Sequence, residues 1–268
     1  IFTLDMGTAG AALATGLSQF ISFCILLWMC NHQDSCISIS IRKFRPKLAI
    51  YREILYGGIP SLGRQGIASV ATILMNFMCQ PYGDAAIAAM SIVSRFMFFI
   101  NSVIIGFGQG FQPVCSYCFG AGLYDRVKKA CWFCIRVSTI ILLVLSVISF
   151  PAARSIITLF RRNDPTVIEI GTLALRLQLI TLPLQGAVIM GNMMPQSIGY
   201  GFRATLVSTA RQGIFLIPLL TIMTYPIGLL GIQCAQPLAD IATFILSLFV
   251  IRGIFKEFPE DASSFAAQ

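Results

Sequence analysis

Long apolar runs alternate with short polar segments along this chain. About seven runs approach the ~20 mostly apolar residues that a helix needs to cross the hydrocarbon core of a bilayer. We place them at residues 7–29, 55–79, 85–111, 131–151, 167–190, 205–225 and 237–251. Because backbone groups in lipid must be hydrogen-bonded within their own segment, runs of this length predict transmembrane α-helices. The expected fold class is an all-α polytopic membrane protein.

Composition supports this interpretation. Charged residues make up 11% of the 268 residues and hydrophobic residues 56%. A soluble domain usually has about 25% charged residues, which cover its surface. This chain lacks the residues for such a surface, whereas lipid accepts an apolar exterior.

The net charge of +8 is concentrated in the loops between the runs. This placement fits the positive-inside rule better than a nucleic-acid surface, so we expect no nucleic-acid partner. The basic side, which we assign to the cytoplasm, carries Arg42, Lys43, Arg45, Lys47, Arg52, Arg126, Lys128, Lys129, Arg203, Arg252 and Lys256. We therefore expect a multi-pass protein of the plasma membrane with a cytoplasmic C-terminus.

Four cysteines have a spacing close to that of zinc sites. Cys115, Cys118, Cys131 and Cys134 read C-x2-C-x12-C-x2-C. Each pair flanks a long apolar helix instead of a compact ribbon, so we interpret them as small apolar residues. We expect neither a metal nor a cofactor.

Residues 37–51 form a polar, basic connection between the first two runs. Ile37, Ile39 and Ile41 alternate with serines, which is a strand period, and Pro46 interrupts the segment. We therefore favour a plain cytoplasmic linker over an amphipathic helix on the inner leaflet.

The fifth run is the richest in polar side chains. Gln178, Gln185 and Asn192 are seven residues apart and share one helix face, and Pro183 can kink the helix between them. A polar stripe beside a kink is typical of a transport cavity. The same amides could instead join helices by hydrogen bonds. We favour the cavity and include Gln196, which follows in the next link.

The second run has an irregular, glycine- and proline-rich start. Arg64 and Gln65 follow Gly57-Gly58-Ile59-Pro60-Ser61 there, and Asn76 lies further along. Broken helices recur at transporter sites, although a snorkelling arginine gives the same pattern. Arg211 is close enough to a basic loop to snorkel. We expect Asp240, near the outer end of the last run, to face the interface.

No catalytic motif is present. The chain has no G-x-S-x-G, H-E-x-x-H or P-loop sequence and one histidine. We therefore expect that the protein is not an enzyme.

Several stretches, in order over about residues 7–255, resemble the multidrug and toxic compound extrusion (MATE) family of antiporters. Residues 106–113, GFGQGFQP, with Gly120-Ala121-Gly122 look like the family's helix-end motif before a short basic loop. Residues 9–15 resemble the start of the sixth helix, and residues 58–61 with 64–65 resemble the seventh. Residues 196–201 and 208–213 resemble the tenth-to-eleventh region.

The resemblance implies a fold of twelve helices in two lobes arranged as an inverted V. This chain would hold the sixth helix (1–30), an inter-lobe linker (31–52), the six-helix second lobe (53–255) and a cytoplasmic tail (256–268), as a segment of a longer transporter. Its implied function is export of cationic amphipathic drugs or metabolites in exchange for H+ or Na+ by alternating access. We expect a monomer whose partners are the lipid bilayer and small organic cations.

The sequence departs from the family at two positions. Some members place coupling carboxylates in the seventh and tenth helices, whereas the neighbourhoods of Ala68-Ser69 and Gln185-Gly186 carry no acid here. Coupling would then depend on the first lobe. The cavity candidates are Arg64, Gln65, Asn76, Gln178, Gln185, Asn192 and Gln196. The alternatives are a lipid-linked oligosaccharide flippase of the same superfamily and a seven-helix receptor.

Overall fold

Every regular element in the described part of the chain is helical. The computed structural model describes residues 7–32, 48–161 and 164–258, and its contacts divide the chain into two units, 1–55 and 56–268. The linker interpretation for residues 37–51 falls mostly outside the described residues. The α-helices are α1 (Gly7–His32), α2 (Leu48–Cys79), α3 (Asp84–Gly120), α4 (Tyr124–Phe160), α5 (Pro165–Thr181), α6 (Gln185–Ser197), α7 (Gly201–Thr209), α8 (Ile217–Ile227) and α9 (Leu229–Glu257).

Three short elements complete the path. The 3-10 helices Gln80–Tyr82 and Leu182–Leu184 follow α2 and α5, and a π-helix at Ala210–Leu216 joins α7 to α8. α5 with α6, and α7 with α8, therefore form two membrane-length segments that are each irregular near the middle.

The prediction of an all-α polytopic membrane protein is confirmed. Within the described residues, five helical segments are long and apolar enough to span a bilayer. They are Asp84–Gly120, Tyr124–Phe160, Pro165–Ser197, Gly201–Ile227 and Leu229–Glu257. The apolar part of α1, Ala12–Trp28, is shorter, and α2 is a 32-residue helix whose side chains at 52–64 lie outside the description.

Helix ends extend beyond the predicted runs. Pro113, Pro151 and Pro237 lie inside α3, α4 and α9. Neighbouring helices in a membrane protein can replace the backbone hydrogen bond that a proline removes, so proline does not end a helix there. The predicted start of the last span at Pro237 was wrong, because α9 begins at Leu229.

The second unit has its core where α3, α5, α6 and α9 meet, with α4 packed against α3, α5 and α6. Small residues permit this close approach. A Cβ on Gly186 would meet Ser138, and one on Gly191 would overlap Ser247. Large apolar side chains such as Phe99, Phe133 and Phe249 are exposed on the outside, as expected for a surface in contact with lipid.

Two turns depend on glycine. Gly122 between α3 and α4 has φ +72°, and Gly228 between α8 and α9 has φ +66°. Other residues rarely adopt this left-handed region, so glycine permits each tight reversal. The start of α5 is stabilised by a side-chain cap instead, because the Asp164 carboxylate accepts a hydrogen bond from the Val167 N–H.

Candidate functional site

A buried ion pair joins α9 to the π-helix. Asp240 on α9 is 1% exposed, and its Oδ1 accepts a hydrogen bond from Arg211 Nε at 2.8 Å. Its Oδ2 accepts a second hydrogen bond, also at 2.8 Å, from Gln185 Nε2 on α6. Both carboxylate oxygens are therefore occupied, and one acidic side chain connects three helical segments.

This network lies near the middle of the membrane-length helices. Arg211 is ten residues after the start of α7 and Asp240 eleven after the start of α9, which corresponds to about 15–17 Å at ~1.5 Å per residue. The hydrocarbon core is about 30 Å thick. A charged side chain at this depth is costly unless it is paired, and each partner here compensates the other.

The π-helix is a local irregularity that contains Arg211. Pro218, two residues beyond its end, has no N–H to continue the regular ladder of hydrogen bonds. π-Helical turns are rare and occur frequently at functional sites. The wider turn thus coincides with the ion pair.

A polar cavity adjoins the ion pair. Its volume is about 270 Å³, and it lies among α2, α3, α5, the π-helix and α9. Asp240 is not among its lining residues, so Arg211 is the charged side chain that faces the cavity. The polar lining side chains are Thr72, Ser94, Asn101, Gln178, Arg211, Gln212 and Gln236.

Two buried amide oxygens at this site have no hydrogen-bond partner among the described residues. They are Asn101 Oδ1 and Gln185 Oε1. An unpaired buried acceptor is costly, and such groups in native proteins require an explanation. Each of these oxygens has less than 1 Å² of accessible surface, so a donor in the cavity could reach either one only after a side-chain movement.

The predicted kink at Pro183 is present as the 3-10 helix Leu182–Leu184. Proline has no N–H, so the carbonyl of Leu179 loses its usual partner four residues later. The backbone N–H of Leu182 donates to this oxygen instead. Ser146 on α4 adds a second hydrogen bond to it at 2.6 Å. The 3-10 turn therefore interrupts the regular helix just before Gln185, and a neighbouring helix adds a hydrogen bond to the backbone at this turn.

The three amides of the predicted stripe separate in the structure. Gln178 is buried and lines the cavity, whereas Gln185 lies behind it on Asp240. Asn192 Nδ2 donates to the Ala204 carbonyl at 2.7 Å, a contact between helices. Gln196 is exposed and accepts a hydrogen bond from Gln112 Nε2 at 3.4 Å.

The other candidates lie on α2. Gln65 and Asn76 are exposed and are not among the lining residues of the cavity. The side chain of Arg64 lies outside the described part of the structure. α2 contributes Ala68, Ala71, Thr72 and Met75 to the cavity instead.

Sequence reasoning missed Asp240 and Arg211. The expectation that Asp240 faces the interface was wrong, because its helix starts eight residues earlier than predicted and the carboxylate is buried. Arg211 pairs with this carboxylate instead of snorkelling. An acid and an arginine in separate apolar runs were the available signal, since each is costly in a bilayer unless it is paired.

Two other features are separate from this network. Within the described ranges, no group of three or more His, Cys, Asp or Glu side chains is placed to hold a metal ion, and the four spaced cysteines are free. Arg176 lies over the Phe150 ring at 5.5 Å and lines a larger crevice of about 710 Å³ with Arg154 and Glu169.

Comparison with known proteins gives one consistent result. The model of the MatE family matches residues 60–222, more than half of the chain. The multidrug export protein MepA of Staphylococcus haemolyticus is 27% identical over 264 residues, which are 98% of this chain and 58% of that protein.

Solved structures show the same fold. An outward-facing multidrug resistance MATE family transporter of the MOP superfamily superposes with a TM-score of 0.83 at 23% identity, over 96% of this chain and 58% of its own. An inward-facing one gives 0.79 at 21% identity, over 98% and 61%. The chain thus spans somewhat more than half the length of the proteins it matches.

Proposed function

Since this chain belongs to the MATE family, we propose that it forms the second lobe of a transporter that exports cationic amphipathic drugs or metabolites. Members of the family are transporters, which confirms the expectation that the protein is not an enzyme. The observation that carries the proposal is the polar cavity lined by Gln178, Asn101 and Arg211 near the middle of the membrane-length helices.

The size and chemistry of the cavity support this function. Its ~270 Å³ is just below the usual range of about 300–1,000 Å³ for ligand pockets. A drug-sized molecule would therefore occupy it in part, with the rest of its surface covered by a first lobe. The amides of Gln178, Gln212 and Gln236 can take ligand donors in varied orientations.

The charge of the cavity argues against the flippase alternative. A lipid-linked oligosaccharide carries phosphate groups, and its carriers tend to have more charged central cavities. Among the residues that the structure describes, Arg211 is the one charged side chain of the lining, and Asp240 compensates its charge. Because the chain belongs to the MATE family, the alternative of a seven-helix receptor no longer applies.

We propose alternating access coupled to H+ or Na+ as the mechanism. Similar transporters have been captured facing outward and facing inward, and the kink and the π-helix would let helices of this chain adjust between such states. The proposed organisation keeps residues 1–30 as the last helix of a first lobe, 31–52 as the linker, 53–255 as the second lobe and 256–268 as the tail. A monomer in the plasma membrane with a cytoplasmic C-terminus completes the proposal.

Ethidium binding to the 268-residue chain in detergent micelles tests the cavity. We expect the dye's fluorescence to rise on binding, and Gln178→Leu to weaken binding about tenfold by removing a lining amide. The matched control is Gln109→Leu, because Gln109 is an exposed residue of α3 outside the cavity. Equal binding by both variants would locate the dye elsewhere and contradict the proposal.

Everted membrane vesicles from cells that express this chain as part of the full two-lobe transporter test the coupling. We expect ethidium to accumulate when a cation gradient is imposed. A protonophore should abolish uptake driven by H+, and a sodium ionophore should abolish uptake driven by Na+. Dye uptake that is unchanged by both the protonophore and the sodium ionophore would refute cation exchange.

A further inference from the structure

Arg211 uses only one edge of its guanidinium group in the buried ion pair. Nε is the atom that donates to Asp240, and within the described residues neither η nitrogen has a hydrogen-bond partner. A guanidinium carries five N–H donors. The side chain is 25% exposed and lines the cavity, so its donors are accessible from that space.

The buried side of the pair holds this guanidinium in place. Asp240 is 1% exposed, and Gln185 occupies its second oxygen. The carboxylate therefore does not face the cavity, and a ligand there meets the donors of Arg211 first. The positive side chain of the ion pair therefore faces the cavity, although the pair as a whole is neutral.

The remaining polar lining side chains are uncharged. They are amides and hydroxyls, such as Gln178 and Thr72, and no acidic side chain lines the cavity in the described part of the chain. No other charge there competes with a ligand anion for Arg211. Polar donors at this depth require acceptors, because the surrounding lipid offers none.

We propose that the cavity edge of Arg211 is a subsite for a carboxylate group on an amphipathic substrate. The planar fork of a guanidinium matches the two oxygens of a carboxylate, and such charge-assisted hydrogen bonds are about twice as strong as neutral ones. This inference rests on the proposed function and names the side chain that would hold the acidic group of a zwitterionic substrate. The lining amides of Gln178, Gln212 and Gln236 supply acceptors at the same cavity for the cationic end.

The position of the subsite excludes the phosphate of a resting membrane lipid as the occupant. Arg211 lies about 15 Å along its helix segment, near mid-depth, whereas lipid headgroups lie outside the hydrocarbon core. A carboxylate carried by a small amphipathic molecule can enter the cavity with its apolar body.

Two dyes that differ only at this group provide the test. One is a rhodamine with a free carboxylate, which is zwitterionic, and the other is the methyl ester of the same rhodamine, which is cationic. Fluorescence polarisation measures the binding of each to the 268-residue chain in micelles. We expect the wild-type protein to bind the carboxylate dye about tenfold more tightly, a ratio that corresponds to one charge-assisted contact.

The decisive variant is the double substitution Arg211→Gln with Asp240→Asn, which removes both charges and leaves no buried ion unpaired. We expect it to lose the preference while its affinity for the ester changes less than about twofold, since the remaining lining is intact. The matched control is Arg203→Gln, because Arg203 pairs with Glu257 and does not line the cavity. That control should keep the preference.

Three outcomes would overturn the subsite. They are equal binding of the two dyes by the wild-type protein, an unchanged preference in the double variant, and equal losses for both dyes in that variant. Equal binding of both dyes would leave the proposed export of cations intact. If the wild-type protein bound neither dye, the subsite would be refuted, and the ethidium measurement would decide the proposed function separately.

Discussion

The buried pair of Asp240 and Arg211 predicts a strongly non-additive effect on stability. Arg211→Gln alone leaves the Asp240 carboxylate without its cation in a site that is 1% exposed. Removing one partner of a buried pair typically costs about 3–5 kcal/mol. Asp240→Asn alone should cost less, about 1–3 kcal/mol, because Arg211 is 25% exposed and its donors can turn toward the cavity.

The double variant should be more stable than the Arg211→Gln single variant. The introduced amides can hydrogen-bond to each other and to Gln185, so no buried charge remains. We therefore expect a coupling energy of at least about 1 kcal/mol, with the loss in the double variant below the sum of the two single losses. Unfolding by sodium dodecyl sulfate in mixed micelles, followed by circular dichroism, gives the free energy of unfolding of each variant.

The same cycle at Arg203 and Glu257 is the control. This pair also joins two helices, but its side chains are 34% and 45% exposed. Water can solvate either partner when the other is removed, so the coupling should be much smaller. Additivity within about 0.5 kcal/mol at Asp240 and Arg211 would show that the two side chains act independently and would refute the buried network.

Further predictions concern the packing that positions this network. Ser146→Ala should cost about 1 kcal/mol in the same unfolding assay, because it removes a buried hydrogen bond between α4 and α5, whereas the exposed Ser102→Ala should be neutral. Gly191→Ala should cost about 1–3 kcal/mol, since its Cβ would overlap a neighbouring helix, and Gly106→Ala, with open space around it, should not destabilise. Asp164→Ala should remove the cap of α5 at about 1 kcal/mol and speed hydrogen exchange in its first turn; unchanged exchange there would contradict the capping role.

The apolar runs predicted the helices well and their ends poorly. The runs mark the part of each helix that contacts hydrocarbon, but α4 extends from Tyr124 to Phe160 around a predicted span of 131–151. Polar residues at the membrane surface can remain helical because water satisfies them. Pro151 and Pro113 could not be distinguished from helix ends, since the neighbouring helices that accommodate them are absent from a one-dimensional pattern.

The sequence pattern identified part of the candidate site. The seven-residue spacing of amides pointed to the fifth run, and Gln178 and Gln185 are indeed buried there. The pattern of one helix cannot identify partners on other helices, however. Asp240 is 55 residues from Gln185 and 29 from Arg211, so the network appears only when the helices are packed. The π-helix was also missed, because its apolar pattern resembles that of a regular helix.

The irregular backbone and the polar network occur together for a physical reason. Gln185 follows the kink at Leu182–Leu184, Arg211 lies in the π-helix, and Asp240 is three residues after Pro237 inside α9. Each irregularity weakens the regular ladder of backbone hydrogen bonds at that level of the helix, which makes a change of helix direction less costly there. Side-chain hydrogen bonds between the three helical segments then hold these segments in one relative orientation. A ligand that binds Arg211 from the cavity would therefore act on all three segments through one carboxylate, and a change in its occupancy could alter their packing together.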